Sequence, residues 1–375
     1  MIGLRCARLF DGDVLHHGPT TVAVDGGRIV PAAGDFPVVD LGDVTLMPGL
    51  VDSHVHLAFE PGSDIPADMA SASREVLLER MRRHALQALR AGVTTLRDLG
   101  DRDYLALELR DALGADGPEI LAAGPPITSP GGHCWFLGGE TPPDRLAHAV
   151  ADRVARGVDV IKVMATGGGI TPGSAPHESQ YGLPELRVVV GAAHAAGLRV
   201  TAHAHGGAGI RDAVAAGVDG IEHCTFLTDG GADPDWSTVE AIVVAGVYVG
   251  VTAARMSSGY VLPPHIAAAR ANFARMQALG ARLVFCSDAG IIADKPHHCL
   301  PYALPDIQDL AQVSAAAVLT SVTRLAAESC GLGRRKGRIA PGYDADLLAV
   351  HGDPTQDLTA MTDVAAVYRA GNLVT

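Results

Sequence analysis

The sequence has 375 residues and a formal net charge of −13, with 29 Lys+Arg against 42 Asp+Glu. Hydrophobic residues make up 48% of the chain and charged residues only 19%, which excludes a disordered chain because disorder needs low hydrophobicity and dense charge. The negative charge argues against nucleic acid as a partner. The longest apolar stretch, residues 241–254, is too short to cross a membrane.

The cysteines and the first 24 residues bear on the cellular compartment. The six cysteines form no CxxC pair, and the first 24 residues carry charged side chains and histidines without the apolar run of a secretory signal. We therefore expect a cytoplasmic protein with reduced thiols.

The sequence at both ends of the chain predicts short strands separated by turns. The N-terminal strands are predicted at 3–10, 20–25, 28–30 and 38–41, and the C-terminal ones at 338–339, 346–350, 364–368 and 372–374. We expect the segments 1–46 and 338–375 to pair into one small β-sandwich domain, which leaves 47–337 as a second domain.

Residues 47–337 alternate between apolar β-branched runs and Ala-rich stretches with a 3.6-residue period. The predicted strands are 46–54, 94–98, 119–123, 158–163, 199–203, 220–223, 247–251 and 283–288. The predicted helices are 73–91, 104–113, 143–156, 184–196, 208–216, 235–245 and 264–279. A glycine follows the end of nearly every helix, as expected of a helix stop. Eight such βα units predict an α/β fold of the (β/α)8 TIM-barrel type, and no GxGxxG turn supports a Rossmann fold.

The strongest chemical signal is His54-Val55-His56 at the end of the first predicted barrel strand. Alternate residues of a strand point to the same side, so the two imidazoles are aimed at one place at the mouth where barrel active sites lie. Imidazole is a good ligand for zinc and similar ions. Taken alone, the pair is explained equally well by two exposed histidines.

Four further residues stand at or near strand ends: His203, His223 and Asp288, each a potential ligand, and Lys162 on the fourth strand. A lysine among aliphatic residues is costly as a buried cation. Its amine either reaches the barrel mouth along a buried stem or stays neutral. A neutral amine can add carbon dioxide to form a carbamate, a bidentate metal ligand.

This set of residues resembles the metal pattern of the amidohydrolase superfamily. The segments 161–169, 201–206, 220–223 and 337–347 resemble its Xaa-Pro dipeptidase (prolidase)-like and imidazolonepropionase-like branch. The resemblance covers the whole chain and implies the barrel, the terminal β-sandwich and a homo-oligomer. It also implies two zinc ions bridged by carboxylated Lys162 and hydroxide, with metal ligands at His54, His56, Lys162, His203, His223 and Asp288.

The resemblance further implies catalytic roles. Asp288 would act as general acid and base, moving a proton from the attacking hydroxide to the leaving nitrogen. His205 stands where relatives commonly carry a tyrosine, so it would polarise the scissile carbonyl or hold the substrate as an imidazole. His133 follows a Gly-Gly turn whose counterpart contacts the substrate carboxylate.

Tyr181 and Arg255 are further candidates for substrate binding, because both lie in predicted loops at the barrel mouth. Arg255 could pair with an anionic group, although a solvated loop arginine explains it equally well. A loop histidine is likewise the alternative for His133.

Three functions remain to be compared. The first is metal-dependent hydrolysis of a peptide or N-acyl amide bond in a small molecule. The second uses the same centre to open a cyclic amide or to hydrolyse a urea or carbamate. The third is a barrel without catalytic activity, which is disfavoured because every expected ligand position is filled.

Overall fold

The structure is a computed structural model and describes residues 1–256 and 264–374. Its strands are β1 (Ile2–Phe10), β2 (Leu15–Asp25), β3 (Arg28–Val30), β4 (Val38–Asp40), β5 (Val44–Pro48), β6 (Leu50–Val55), β7 (Val93–Asp98), β8 (Glu119–Ala122), β9 (Val160–Met164), β10 (Arg199–Gly206), β11 (Gly220–Thr228), β12 (Gly231–Ala232), β13 (Tyr248–Val251), β14 (Arg282–Phe285), β15 (Leu347–His351), β16 (Val364–Arg369) and β17 (Asn372–Leu373).

The α-helices are α1 (Ile65–Ser71), α2 (Arg74–Arg90), α3 (Leu105–Leu113), α4 (Leu146–Arg156), α5 (Leu183–Ala195), α6 (Gly207–Ala216), α7 (Trp236–Ala245), α8 (Pro264–Ala278), α9 (Leu304–Ala311), α10 (Ala315–Thr320) and α11 (Ala326–Ser329). Several predicted helix stops are confirmed by backbone geometry, since Gly157, Gly217 and Gly246 follow their helices in the left-handed region. Within the described ranges, none of the helices is long and apolar enough to span a bilayer.

The two ends of the chain form one eight-stranded sheet. Its strand order is β17-β16-β15-β5-β1-β2-β3, and β4 also pairs with β1. The N-terminal β5 lies between β1 and the C-terminal β15, parallel to the first and antiparallel to the second. The pairing predicted between the two termini is therefore present. The strand predicted at 338–339 is wrong, because that segment forms turns and only the Ile339 amide bonds back, to the Asp11 carbonyl.

The strand predicted at 46–54 is two strands in two different sheets. β5 ends at Pro48 and belongs to the terminal sheet, whereas β6 starts at Leu50 and pairs with β7. Gly49 makes the change of direction: a Cβ there would overlap the Thr94 side chain, and its amide donates to the Asp346 carbonyl. This junction ties the terminal sheet directly to the first strand that carries site residues.

The remaining strands form parallel sheets, as the alternating βα pattern predicts. One sheet has the order β6-β7-β8, and the other runs β14-β13-β11-β10-β9 with the short β12 against β11. Single bridges connect the two sheets at both edges, between Val55 and Ala289 and between Ile127 and Val163. The helices α1 and α9 to α11 were missed from the sequence; α1 lies between β6 and β7, and α9 to α11 follow β14.

Candidate metal centre

The predicted metal ligands all lie on or just after the parallel strands. His54 is in β6 with His56 directly after it, Lys162 is in β9, His203 in β10 and His223 in β11. Asp288 follows β14, and its amide donates to the His54 carbonyl at 2.8 Å. All six side chains are at most 7% exposed. The sheets therefore bring residues from five strands into one buried cluster.

The donor atoms approach one another closely. The Nε2 atoms of His54 and His56 each lie 3.4 Å from Oδ1 of Asp288. One donor atom from each of His54, His223 and Asp288 falls within 4.8 Å of the others, and the same holds for His203, His205 and His223. The two groups of donors overlap at His223, so both candidate groups belong to one cluster.

Each predicted ligand histidine is held through one ring nitrogen, which leaves the other for a metal. His56 donates from Nδ1 to the Gly100 carbonyl at 3.0 Å, and His203 donates from Nε2 to the Gly167 carbonyl at 2.9 Å. Nδ1 of His223 lies 3.0 Å from the Thr252 hydroxyl. The nitrogen left for a metal is thus Nε2 in His56 and His223 but Nδ1 in His203.

The carboxylate of Glu222 contacts the Nδ1 side of the His54 ring. Its Nδ1 donates to Oε2 of Glu222 at 2.8 Å, and Glu222 also accepts from Arg97 at 3.1 Å and from the Thr201 hydroxyl at 2.6 Å. Glu222 is 1% exposed, and Gly250 makes room for it, since a Cβ at position 250 would overlap the carboxylate. This network fixes the tautomer that presents Nε2 of His54 to the centre.

Lys162 is the only lysine among the predicted ligands, and its side chain lines the same cavity as the others. It is 1% exposed, and its Nζ has no hydrogen-bond partner among the described residues. Burial lowers the pKa of its amine, against the opposing charges of Glu222 and Asp288. An unpartnered buried amine is costly, and conversion to a carbamate would give it metal ions as partners. The donor set therefore fits a metal centre with a carboxylated lysine.

Burial favours the neutral imidazole in His54 and His205. Burial, followed by the positive charge of Lys162, lowers the pKa of His54 to about 4. For His205 burial again dominates and lowers the pKa to about 4. Although burial raises the pKa of Asp288, the neighbouring His54 and His56 lower it well below its usual range. Neutral imidazoles and an ionised carboxylate are the metal-binding forms of these groups.

Two of the predicted ligands also have strained backbone. His223 has a φ of 70° and Asp288 a φ of 55°, both in the left-handed region that residues other than glycine seldom adopt. Strain of this kind costs about 1–3 kcal/mol per residue and concentrates at functional sites. Here it directs the two side chains to the centre.

Comparison with known proteins identifies the family. The model of the amidohydrolase family matches residues 45–374. The chain belongs to the amidohydrolase family. This confirms the superfamily resemblance seen in the sequence.

The chain is similar to several amidohydrolases. A crystal structure of an Xaa-Pro dipeptidase with methionine bound in its active site superimposes with a TM-score of 0.86, at 28% identity over 99% of both chains. A prolidase complexed with N-methylphosphonate-L-proline gives a TM-score of 0.85 at 25% identity, covering 100% of this chain and 99% of that one. Ochratoxinase from Aspergillus niger is 30% identical over 215 residues, or 49% of this chain and 44% of ochratoxinase. The chain spans about half the length of the curated relatives it matches.

Two predicted substrate residues of this amidohydrolase, His133 and His205, line a cavity of about 280 Å³ together with the predicted ligands. The His133 ring lies 4.6 Å from that of His203, and Nδ1 lies 3.0 Å from the Thr171 hydroxyl. Nδ1 of His205 lies 2.7 Å from the Thr225 hydroxyl, and its ring stacks on His223 at 4.5 Å. Both imidazoles are therefore positioned beside the centre.

The other two candidates are placed differently. Tyr181 is buried, its hydroxyl donates to the Thr141 carbonyl at 2.6 Å, and it lines neither this cavity nor its neighbour. Its hydrogen bond to the loop backbone accounts for a structural role. Arg255 lines the adjoining cavity and pairs with Asp294 at 3.2 Å.

Sequence reasoning missed the residues that support the ligands. Glu222 and Arg97 were not singled out, although each is a charged residue within a predicted barrel strand and their charges are opposite. That combination is the available signal for a buried pair. Lys295 was also missed; it is 6% exposed and donates to the Thr252 carbonyl at 2.8 Å and the Ser287 carbonyl at 2.6 Å. It joins the loops that follow β13 and β14.

Proposed function

We propose that this chain is a metal-dependent hydrolase that cleaves an amide bond, peptide or N-acyl, of a small molecule. The observation that carries the proposal is the buried Lys162 amine, which has no hydrogen-bond partner in the described part of the chain and lines one cavity with a cluster of histidines and one carboxylate. Membership of the amidohydrolase family supports the same chemistry. The dipeptidase and prolidase neighbours favour a linear amide over a cyclic amide, urea or carbamate.

We further propose that the centre holds two zinc ions. His54, His56 and Asp288 would bind one, His203 and His223 the other, and carboxylated Lys162 would bridge them. Bound zinc would polarise the scissile carbonyl and bring the pKa of a water molecule to roughly 7.

Asp288 is proposed to handle the proton. Because it is held ionised, it can accept a proton from the attacking water and pass it to the leaving nitrogen. His205 is proposed to hold the carbonyl oxygen. When the Thr225 hydroxyl donates to Nδ1 of His205, the proton of the ring is on Nε2, which can then donate to the substrate.

The bridges between Val55 and Ala289 and between Ile127 and Val163 support closure of the two parallel sheets into a (β/α)8 barrel. The proposed division of the chain is a barrel of residues 47–337 and a terminal β-domain of residues 1–46 and 338–375.

Lys162→Ala tests the proposal. Zinc-loaded protein, prepared with bicarbonate, should hydrolyse members of a panel of dipeptides and N-acyl amino acids, and the variant should lose about 100-fold or more of kcat/KM because a bridging ligand is gone. Added acetate or propionate should restore part of the variant's activity while leaving the wild type unchanged. Full activity of the variant without added acid would exclude the carbamate, and wild-type cleavage of cyclic amides or ureas alone would favour the second function.

A further inference from the structure

A separate cavity of about 330 Å³, called the base cavity below, lies towards the start of the parallel strands. Its lining residues include Arg97, Leu121, Val160, Arg199, Cys330 and Leu332. Val160 and Arg199 are the first residues of β9 and β10, whereas Lys162 and His203 stand further along the same two strands. None of the described residues lines both the base cavity and the cavity of the predicted metal ligands. The base cavity is therefore a second place where a small molecule could bind.

Two guanidinium groups of the base cavity converge on one neutral oxygen. Nη1 of Arg97 and Nη1 of Arg199 both donate to the Ser329 carbonyl, at 3.3 and 3.1 Å. Nη1 of Arg199 also donates to the Glu328 carbonyl at 2.6 Å, and in the described part of the chain its acceptors are these two carbonyls. Each guanidinium has five N–H donors, so both keep donors for a ligand. An oxyanion between them could accept from both.

The carboxylates around the base cavity do not neutralise Arg199. Each is paired with a different arginine: Asp159 with Arg110 at 3.0 Å, Glu222 with Arg97 at 3.1 Å, and Glu328 with Arg324 at 2.9 Å. Arg199 has no carboxylate partner among the described residues and is held by backbone carbonyls. A bound anion would supply the charge that Arg199 lacks, and it would share Arg97 with Glu222.

The rest of the wall indicates what the anion would be attached to. Leu121, Val160 and Leu332 are buried and give the base cavity an apolar side next to the two arginines. A compact aliphatic or aromatic group packs on such a surface through the hydrophobic effect. A phosphate or sulfate group has three terminal oxygens, which suits two guanidinium groups at once. The ligand that fits is therefore a phosphate or sulfate ester of a small apolar molecule.

Arg97 connects the base cavity to the metal centre. Its Nη2 donates to Oε1 of Glu222 at 3.1 Å, and Oε2 of Glu222 accepts from Nδ1 of His54 at 2.8 Å. Arg97 and Glu222 are 5% and 1% exposed, so solvent screens the charges along this path only weakly. The positive charge of Arg97 opposes the binding of a cation at His54. An anion bound to Arg97 would offset that charge and favour zinc.

We propose that the base cavity binds a phosphate or sulfate ester of a small molecule between Arg97 and Arg199, and that this anion strengthens zinc binding at the metal centre. The coupling rests on the proposed zinc centre, whereas the anion site does not. Because coupling between two binding sites is reciprocal, zinc should strengthen binding of the anion by the same factor. The base cavity is then a regulatory site, separate from the place where substrate reacts.

Phenyl phosphate is the probe for the anion site, titrated calorimetrically into metal-free protein. Arg199→Gln should weaken its binding by about 10-fold or more, because glutamine can still donate to the carbonyls but has no charge. Arg82→Gln, which changes an exposed arginine of α2, is the matched control and should bind phenyl phosphate as the wild type does. No binding to the wild type, or equal binding to the wild type and Arg199→Gln, would overturn the site.

Cys330 allows the coupling to be tested without changing either arginine. It lines the base cavity, and it is the one cysteine of the six that is not fully buried. Methanethiosulfonate reagents form a disulfide with its thiol and release methanesulfinate, so a sulfonatoethyl reagent places an anion in the base cavity and a trimethylammonioethyl reagent places a cation there. Zinc affinity, measured by competition with a chelator, should be at least about 5-fold higher for the anionic adduct than for the cationic one.

Cys330→Ser, treated with the same two reagents, is the control and should bind zinc equally after both. Equal zinc affinity of the two wild-type adducts, each confirmed by mass spectrometry, would overturn the coupling. If Cys330 does not react, zinc affinity with and without saturating phenyl phosphate takes the place of the adducts. Failure of the unlabelled wild type to bind zinc would overturn the proposed metal centre, and the phenyl phosphate titration would still decide the anion site.

Discussion

Replacing Glu222 by glutamine should weaken zinc binding even though Glu222 is not a predicted ligand. The carboxylate accepts three hydrogen bonds, from His54, Arg97 and the Thr201 hydroxyl. The amide of glutamine has one oxygen and one NH2, so at least one of these donors must face another donor. If that donor is Nδ1 of His54, the ring gains by moving its proton to Nε2, the nitrogen that the metal needs.

The structure sets the size of the effect. Loss of a partner that orients a ligand histidine typically costs 10–100-fold in metal affinity, so zinc should bind about 10- to 100-fold more weakly. Hydrogen bonds to charged groups contribute about 1.5–3 kcal/mol each, so the metal-free variant should lose about 2 kcal/mol of unfolding free energy.

Zinc affinity is measured by competition with a chromogenic chelator, and stability by urea unfolding of metal-free protein. Glu79→Gln, on the exposed face of α2, is the matched control and should change neither value. A Glu222→Gln variant that keeps wild-type zinc affinity would refute the view that this carboxylate fixes the His54 tautomer.

Two more substitutions, of Gly250 beside the predicted metal ligands and of Glu119 at the start of β8, follow from side-chain packing and charge. Gly250→Ala should weaken zinc binding and lower the free energy of unfolding by about 1–3 kcal/mol, because the new Cβ would overlap Glu222. The control is Gly191→Ala, which lies in helix α5 with open space around it. This control should instead raise the free energy of unfolding by about 0.5–1 kcal/mol in the same urea experiment. Although burial raises the pKa of Glu119, hydrogen bonds and charges from Arg335 and Lys336 lower this pKa from 4.5 to about 2. The ionised Glu119 therefore contributes about 3 kcal/mol to the free energy of unfolding above pH 4.5. This contribution is lost as the pH falls towards 2. The pH dependence of stability in that window should be shallower in Glu119→Gln, and identical slopes in the two proteins would contradict this assignment.

Much of the fold could be predicted because its signals are local. Each helix that ends in a glycine and each apolar run that follows it is encoded within some 20 neighbouring residues, and such βα repeats specify parallel strands. The strand predicted across Gly49 failed for a non-local reason, because the turn there depends on contacts with Thr94 and Asp346. The strand predicted at 338–339 failed because an apolar residue in a turn gives the same short pattern.

In the candidate site, too, the residues with local sequence signals could be predicted and those that depend on distant contacts could not. The histidines could be found because they stand at the ends of the predicted strands, and the family pattern supplied their expected roles. The contact of Glu222 with His54 joins residues 168 positions apart, and its contact with Arg97 joins residues 125 apart. No local pattern encodes such a pairing. The place of Tyr181 depends on how a long loop folds back on Thr141, which strand periodicity does not determine.

The burial of lysine in this chain has a practical consequence. The sequence contains only three lysines, and Lys162, Lys295 and Lys336 are 1%, 6% and 3% exposed. An amine-reactive reagent therefore meets no lysine at the surface of the folded protein, and each labelling event has to wait for a local opening. Labelling kinetics followed by mass spectrometry would report the opening of the metal centre at Lys162 and of the loop junction at Lys295. Lys336, which is paired with Asp346 and Glu119 at the terminal sheet, would report the opening of that region separately.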